Sequence, residues 1–428
     1  MAVSEAPKQA DLDRCVHCGL CLNSCPTYRE LGLEMDSPRG RIYQMVQVTT
    51  GKAEITESYQ EHIDLCLACR ACETACPSGV QYGRLVEAAR AHIEQNIERP
   101  WHVNLLRQFV FGHLLQTPLL LKAAGYGLYF YQASGLQDLI HRSGLLKSMG
   151  KLGELESLSP GAEPPFFFDQ YGKVFPAEGV RKHRVAFLGG CIANVSFARL
   201  NEATIRVLQK NGCEVIVPAG QGCCGALHVH SGLKDMAREL ARKNIDAVPA
   251  DSFDAIITNA AGCGSTLKEY DELLEHDSAY FEKSKKFIAK MKDVTEFLAA
   301  IDLNPDMGKL ETSITYQDSC HLAHGQKIRS APRKLLNAVP GITFIEMPLS
   351  DLCCGSAGIY NVVQSEMAGK LLENKMVDVN GTKAEWIVTA NPGCMIQLQA
   401  GAAKHGSNQP VYHVVEVLDQ AYRRFGGK

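Results

Sequence analysis

Residues 15–26 read CVHCGLCLNSCP, and residues 66–77 read CLACRACETACP. Each stretch spaces four cysteines as C-x2-C-x2-C-x3-C and follows the last with proline. The first holds Cys15, Cys18, Cys21 and Cys25; the second holds Cys66, Cys69, Cys72 and Cys76. Seventeen cysteines in 428 residues is a high and odd count. The first residues, MAVSEAPKQADLDR, have no apolar run and do not read as a secretory leader. In a reducing compartment disulfides are a poor account of so many thiols, and metal or redox use is a better one.

The spacing is that of the bacterial ferredoxin run for a [4Fe–4S] cluster. Three closely spaced thiolates wrap one corner of a cubane, and the proline turns the chain away after the displaced fourth. In two-cluster ferredoxins that fourth cysteine serves the other cluster. The expected sets are therefore Cys15, Cys18, Cys21 and Cys76 for one cluster, and Cys66, Cys69, Cys72 and Cys25 for the other. A pair of zinc sites fits less well, because zinc modules separate two C-x2-C pairs by a longer loop. Between the runs, SPRGRIYQMVQ reads as a helix opening at Pro38, so a helical ferredoxin-like head is expected over 1–95. Arg39, Arg41 and Arg70 stand near the runs, either as counter-charges to anionic clusters or as solvated surface charges.

Residues 96–183 contain no cysteine. They read as a connector of two or three amphipathic helices, ending in a Pro/Gly/Phe-rich linker. Its most apolar part, residues 109–132, carries His113, Gln116, Pro118 and Lys122, which argues against a spanning helix. A buried helical hairpin, or an amphipathic patch against a membrane or partner, are the two readings of it.

The remainder is duplicated. VAFLGGCIAN from Val185 matches ITYQDSCHLAH from Ile314, and GCCGALHVHSG from Gly222 matches LCCGSAGIYN from Leu352. IITNAAGCGS from Ile256 matches IVTANPGCMI from Ile387, and VTEFLAAI from Val294 matches VVEVLDQA from Val414. Strands alternate with helical patterns, so two α/β domains on parallel sheets are expected, over 184–303 and 304–428. The first copy carries Cys191, Cys223, Cys224 and Cys263; the second carries Cys320, Cys353, Cys354 and Cys394. Each cysteine follows a predicted strand, and loops at the carboxyl ends of parallel strands converge on one edge. Four thiols in each copy are expected to meet there, to hold a further iron–sulfur cluster, a zinc or nothing permanent. His228, His230, His321 and His324 are ligands, proton donors or plain loop residues, with His321 beside Cys320 the best placed. Cys213 has no counterpart and reads as core filling.

Composition narrows the function. Net charge is −3 with no basic stripe, against nucleic-acid binding. No G-x-G-x-x-G opens a βαβ unit and no P-loop is present, so no flavin or nicotinamide site is expected in this chain. Hydride chemistry then belongs to another subunit.

Together these features resemble the iron–sulfur subunits built on cysteine-rich CCG domains. That family includes heterodisulfide reductase subunits, the anaerobic glycerol-3-phosphate dehydrogenase iron–sulfur subunit and glycolate oxidase. The likeness is strongest to the glycolate oxidase iron–sulfur subunits. It rests on DRCVHCGLCLNSCPTY, SPRGRIYQM, CLACRACETACPSGVQYGRL, and the NAAGCG and ANPGC ends. The resemblance implies a complex oxidising glycolate to glyoxylate, with two flavoprotein subunits of FAD-linked oxidase type. This subunit would pass electrons to a respiratory acceptor such as quinone, in the cytoplasm or peripherally at the inner face of the plasma membrane. D-lactate or glycerol 3-phosphate are alternative substrates of such a complex. Heterodisulfide reductase types end each motif in C-x-x-C, whereas the first of those positions here is Ala260 or Asn391. That departure counts against five-cysteine clusters and disulfide-reducing chemistry.

Overall fold

The computed structural model describes residues 5–143, 156 and 159–425. Prolines and hydroxyl caps set the helices of the head. Pro26 and Pro38 open the helices Pro26–Leu31 and Pro38–Thr49, where the missing N–H costs nothing. Ser37 Oγ caps the second by accepting the Gly40 N–H at 2.9 Å. Thr56 caps Glu57–Asp64 through the Tyr59 N–H at 3.2 Å, and Tyr82–Asn96 completes the set. Ile42, Met45, Ile63, Leu85, Val86 and Ala89 pack into a small core that also takes in Cys66 and Cys72. The described residues of the head contain no strand.

The connector forms a short helix at Trp101–Arg107, a π-helical turn at Gln108–Leu114, and the helices Pro118–Ala133 and Leu136–Ser143. The expected buried hairpin is buried along one edge only. Leu121 packs with Phe166 and Val195, and Gly125 lies so close that a Cβ there would stand 2.8 Å from both. Leu119, Phe130 and Trp101 face outward at 75%, 72% and 77% exposure. Apolar residues occur all round this segment, so periodicity gives no signal of which face packs. No described helix is long and apolar enough to cross a membrane.

Each copy of the duplicated region builds a parallel sheet with one strand order. In the first, β2 (His183–Phe187) lies between β3 (Cys213–Ile216) and β4 (Ala255–Thr258), with β5 (Met291–Asp293) beyond β4. In the second, β6 (Thr312–Tyr316) lies between β7 (Ile342–Ile345) and β8 (Trp386–Thr389), with β9 (Val411–His413) at the far edge. The registers correspond: Val185 faces Val215 and Ala255, and Ile314 faces Phe344 and Trp386. The first sheet gains an antiparallel edge strand, β1 (Val174–Phe175), from the end of the connector.

The two copies share one core, with Phe187, Val215 and Ile257 in continuity with Ile314, Tyr316, Val388 and Leu418. Helix Ala198–Lys210 packs on helix Val414–Phe425, where Arg206 makes a two-pronged ion pair with Asp419 at 2.9 and 2.8 Å. The head lies across both copies. Tyr360 Oη donates to the Leu65 carbonyl at 2.9 Å, and Arg70 pairs with Glu269.

Candidate functional site

The two cysteine runs of the head take the same path. The residue before the second cysteine and the residue after it are left-handed in both runs: His17 and Gly19, Ala68 and Arg70. Those turns fold each C-x2-C-x2-C segment back around a centre. Glycine takes such a turn without strain; Arg70 is held in it by Glu73 (3.1 Å), Ser265 (3.4 Å) and Glu269. Cys15, Cys18, Cys21 and Cys76 line one open-sided hollow. Cys25, Cys66, Cys69 and Cys72 line a second. Each run therefore sends its fourth thiol to the hollow of the other. The hollows differ in depth: Cys18 is exposed, whereas Cys25, Cys66, Cys69 and Cys72 are all buried.

Cationic side chains stand at both. Arg39 lines the first, donating to the His17 carbonyl at 3.1 Å and paired with Glu34 at 2.7 Å. Arg41 lines the second and is fully buried. Its guanidinium donates to the His62 carbonyl (2.6 Å), Thr27 Oγ1 (3.1 Å) and Asp36 Oδ1 (3.3 Å). Burial works against that charge, but the neighbouring Cys66, Tyr82, Cys25 and Asp36 hold it in place. Thr27 Oγ1 in turn lies 3.2 Å from Cys25 Sγ. Burial raises the Cys69 and Cys72 thiols well above their ordinary range and pushes Cys21 up to about 11. Thiols of this kind are protonated until a metal displaces the proton. Four thiols around a hollow with a buried guanidinium at its wall fit an anionic thiolate-bound cluster. Among the described residues no three His, Cys, Asp or Glu side chains converge as tightly as a lone metal ion requires.

In the duplicated region the cysteines lie beyond the carboxyl ends of the first three parallel strands of each sheet, where the strand order reverses. Each set forms a row in which each thiol perturbs its neighbour: Cys191–Cys223–Cys224–Cys263 and Cys320–Cys353–Cys354–Cys394. Gly225 and Gly355, after each adjacent pair, are left-handed at φ +87° and +89°. This turn lets the backbone N–H of Gly225 and Ala226 point back at Cys223 and Cys224 Sγ, both at 3.5 Å. The second set adjoins the head: Cys353 shares an apolar cluster with Leu67, Cys69 and Ala71, and Cys320 packs against it. The first set lies towards the connector, where Cys191 packs beside Leu121, Phe166 and Val195.

The four histidines are tied to protein partners. His228 Nε2 bonds the Phe111 carbonyl (2.9 Å), and His230 Nδ1 pairs with Glu87 (3.3 Å). His321 Nε2 bonds the Ala68 carbonyl (3.1 Å), and burial lowers its pKa to about 3. His324 joins Thr74 Oγ1 (2.8 Å) to the Asp351 carbonyl (3.0 Å). Cys213 is fully buried in the shared core, away from either row. Sequence reasoning overlooked Thr27 and Tyr82 at the second hollow. It also missed Arg90, which binds the carbonyls of Ile63 and Cys66 from the helix Tyr82–Asn96. Thr27 directly follows the CP of the first run, and that adjacency was the one available signal.

Residues 11–80 match the 4Fe-4S dicluster domain family, and residues 185–268 and 314–399 match the cysteine-rich domain family. Residues 102–159 match the linker region of the glycolate oxidase iron-sulfur subunit. The probable glycolate oxidase iron-sulfur subunit of Bacillus subtilis (strain 168) is 42% identical over 423 residues, 97% of this chain and 95% of that protein. The glycolate oxidase iron-sulfur subunit of Escherichia coli (strain K12) is 34% identical over 425 residues, 96% of this chain and 95% of that one. Lactate utilization protein A of Bacillus subtilis (strain 168) is 28% identical over 237 residues, 55% of this chain and 99% of its own length.

Proposed function

The chain belongs to the glycolate oxidase iron–sulfur subunit family, and on that premise we propose that it carries electrons away from a flavin-dependent oxidation of glycolate to glyoxylate. The observation that supports this most is the pair of four-thiol hollows at the crossed runs. Cys15, Cys18, Cys21 and Cys76 hold one [4Fe–4S] cluster, and Cys66, Cys69, Cys72 and Cys25 hold the other, within a head spanning 1–95. Such clusters take up and release one electron at a time. The protein's part is to fix their thiolates, set buried Arg41 against their charge and exclude water from the inner one.

No dinucleotide fingerprint accompanies the thiols, so the hydride acceptor belongs to two FAD-linked flavoprotein partners. Electrons leave to a respiratory quinone. The exposed apolar side of the connector is the face for membrane or partner contact, at the inner surface of the plasma membrane. The cysteine rows of the two copies, over 184–303 and 304–428, hold further iron–sulfur clusters; the expected alternative of a lone zinc is disfavoured, since no three such side chains converge tightly among the described residues.

Cys18→Ser and Cys69→Ser test this in the assembled complex. Reduction of the partner flavin by glycolate should persist, while reduction of a quinone analogue falls at least about 100-fold, the scale of losing an essential step. Unchanged quinone reduction in both variants would remove the electron-carrying reading. A preference for D-lactate or glycerol 3-phosphate over glycolate would change the substrate and leave the relay standing.

A further inference from the structure

Two of the differences between the copies stand out near their thiols. Asn391 stands at the N-cap position of the helix Pro392–His405, the place Ala260 occupies before the helix Ala261–Leu267, and its side chain makes no capping hydrogen bond. Its Nδ2 donates to Cys394 Sγ at 3.4 Å. Its Oδ1 accepts the Gly262 N–H at 3.3 Å, one residue before Cys263 of the first copy. One side chain thus holds a thiol of one row and the backbone of the other, and Ala260 has no group able to do either. The second difference lies behind the paired cysteines. In the first copy neutral Asn244 donates to the Cys223 carbonyl at 2.9 Å. The matching residue of the second copy is Lys375, 2% exposed, whose ammonium donates to the Leu349 carbonyl at 2.6 Å. Burial lowers its pKa from the ordinary lysine value, while the nearby charges of Cys354, Asp378, Cys353 and Asp351 work to keep the ammonium.

A hydrogen bond to a thiolate sulfur and a buried cation near it both favour the more negative, reduced state of whatever the thiolates bind. From this asymmetry we infer that the second copy's cysteine row is built as the more easily reduced of the two, and that Asn391 and Lys375 are the positioning residues that make it so. The inference rests on the electron-carrying reading above and adds a direction to it. The row that touches the head at Cys69 is also the row arranged to accept an electron. One electron moves and no bond is made or broken. The reductant is the flavin of the partner, acting through the head.

The test is a redox titration of the purified full-length, iron-loaded chain, followed by electron paramagnetic resonance. Signals of the two rows are assigned by their loss in Cys224→Ser and Cys354→Ser. Two row signals are expected, the second copy's at higher potential. Asn391→Ala and Lys375→Met should each move it to lower potential, with the reduced-to-oxidised ratio at a fixed potential falling about five- to tenfold, on the scale of one ordinary hydrogen bond. Asn391→Asp keeps the acceptor for Gly262 but loses the donor, and should shift it at least as far. Ala260→Asn supplies the missing donor to the first copy and should raise that row's potential. Unmoved midpoints in Asn391→Ala and Lys375→Met, with iron content retained, would overturn the inference, as would a first-copy row of higher potential. Signals from the head alone would also overturn it while leaving the proposed function in place. Absence of the head signals would remove both.

Discussion

In the first copy of the duplicated region, the paired cysteines Cys223 and Cys224 sit under a neutral hydrogen-bonded lid. Asn244 holds the Cys223 carbonyl, and Tyr270 Oη donates to the Cys224 carbonyl at 2.9 Å. In the second copy, Cys353 shares an apolar cluster with Cys69 of the head, and a buried lysine donates to the Leu349 carbonyl just before the Cys353–Cys354 pair. Strand order, register and cysteine spacing are shared, so the scaffold constrains where four thiols converge. It does not constrain what surrounds them. The head meets both copies, but it is the second copy's cysteine row that packs with Cys69, and the surroundings of the two rows differ accordingly.

The sharpest way to break this comparison is at the glycines after the paired cysteines. A Cβ on Gly355 would lie 2.7 Å from the Ala368 carbonyl oxygen, whereas on Gly225 its nearest contact is Ala237 Cβ at 3.4 Å. Both positions are left-handed, which costs a substituted alanine about 1–2 kcal/mol. Gly355→Ala must also displace backbone, so it should cost about 3–4 kcal/mol in all. Gly225→Ala should cost only the first amount. Urea unfolding of the two variants decides this, and equal losses would mean that the second frame is no tighter than the first.

The helix caps at the sheet edges give the next largest effect. Asp293 Oδ1 caps Val294–Ala300 through the Thr295 N–H at 2.8 Å, and Glu296 returns the bond in a capping box. The second copy repeats the box with His413: Nδ1 accepts the Val415 N–H at 3.2 Å, and Glu416 accepts the His413 N–H at 2.8 Å. Burial raises the Asp293 carboxyl to about 6 and lowers His413 to about 4. The two caps therefore oppose each other in pH dependence. Asp293 contributes stability that is full below about 4 and is lost as pH rises through about 6. His413 contributes stability that is full above 6.5 and is lost as pH falls through about 4. Asp293→Asn should gain about 1–3 kcal/mol on its parent between pH 4 and pH 8, and His413→Asn about as much between pH 8 and pH 4. Thermal unfolding across that range measures both. Parallel rather than opposed pH trends would contradict the assignment.

The smallest effect is expected at Cys213, the thiol that breaks the symmetry of cysteine number. It begins β3 where Ile342 begins β7. Burial pushes its thiol up to about 12, and it lies in apolar surroundings. Cys213→Val should change stability by less than about 1 kcal/mol and leave the iron content of the chain unaltered. A loss of iron would move Cys213 out of the core and into the chemistry.

The features legible in the sequence were those with a fixed period or spacing. The cysteine runs fixed the helical head, and four landmarks in the same order exposed the duplication and its sheets. What escaped were contacts between segments far apart in the chain. Arg41 looked like one of three equivalent arginines, because burial at the second hollow depends on four helices meeting. The connector gave no clue to its packed edge, since Phe166, which covers Gly125, comes from a loop some forty residues on. Asn391 was legible only as a missing cysteine. Its hold on Gly262 requires the two copies to be packed first.

The exchange of fourth cysteines has a consequence for how the protein is made. Cys25 completes the hollow of the later run, and Cys76 completes that of the earlier one. A nascent chain that has emerged only as far as the first run therefore has neither hollow whole. Cys69 of the inner one also shares an apolar cluster with Cys353, released late in synthesis. Burial of the inner hollow therefore waits until the distant half of the chain has been made and has docked.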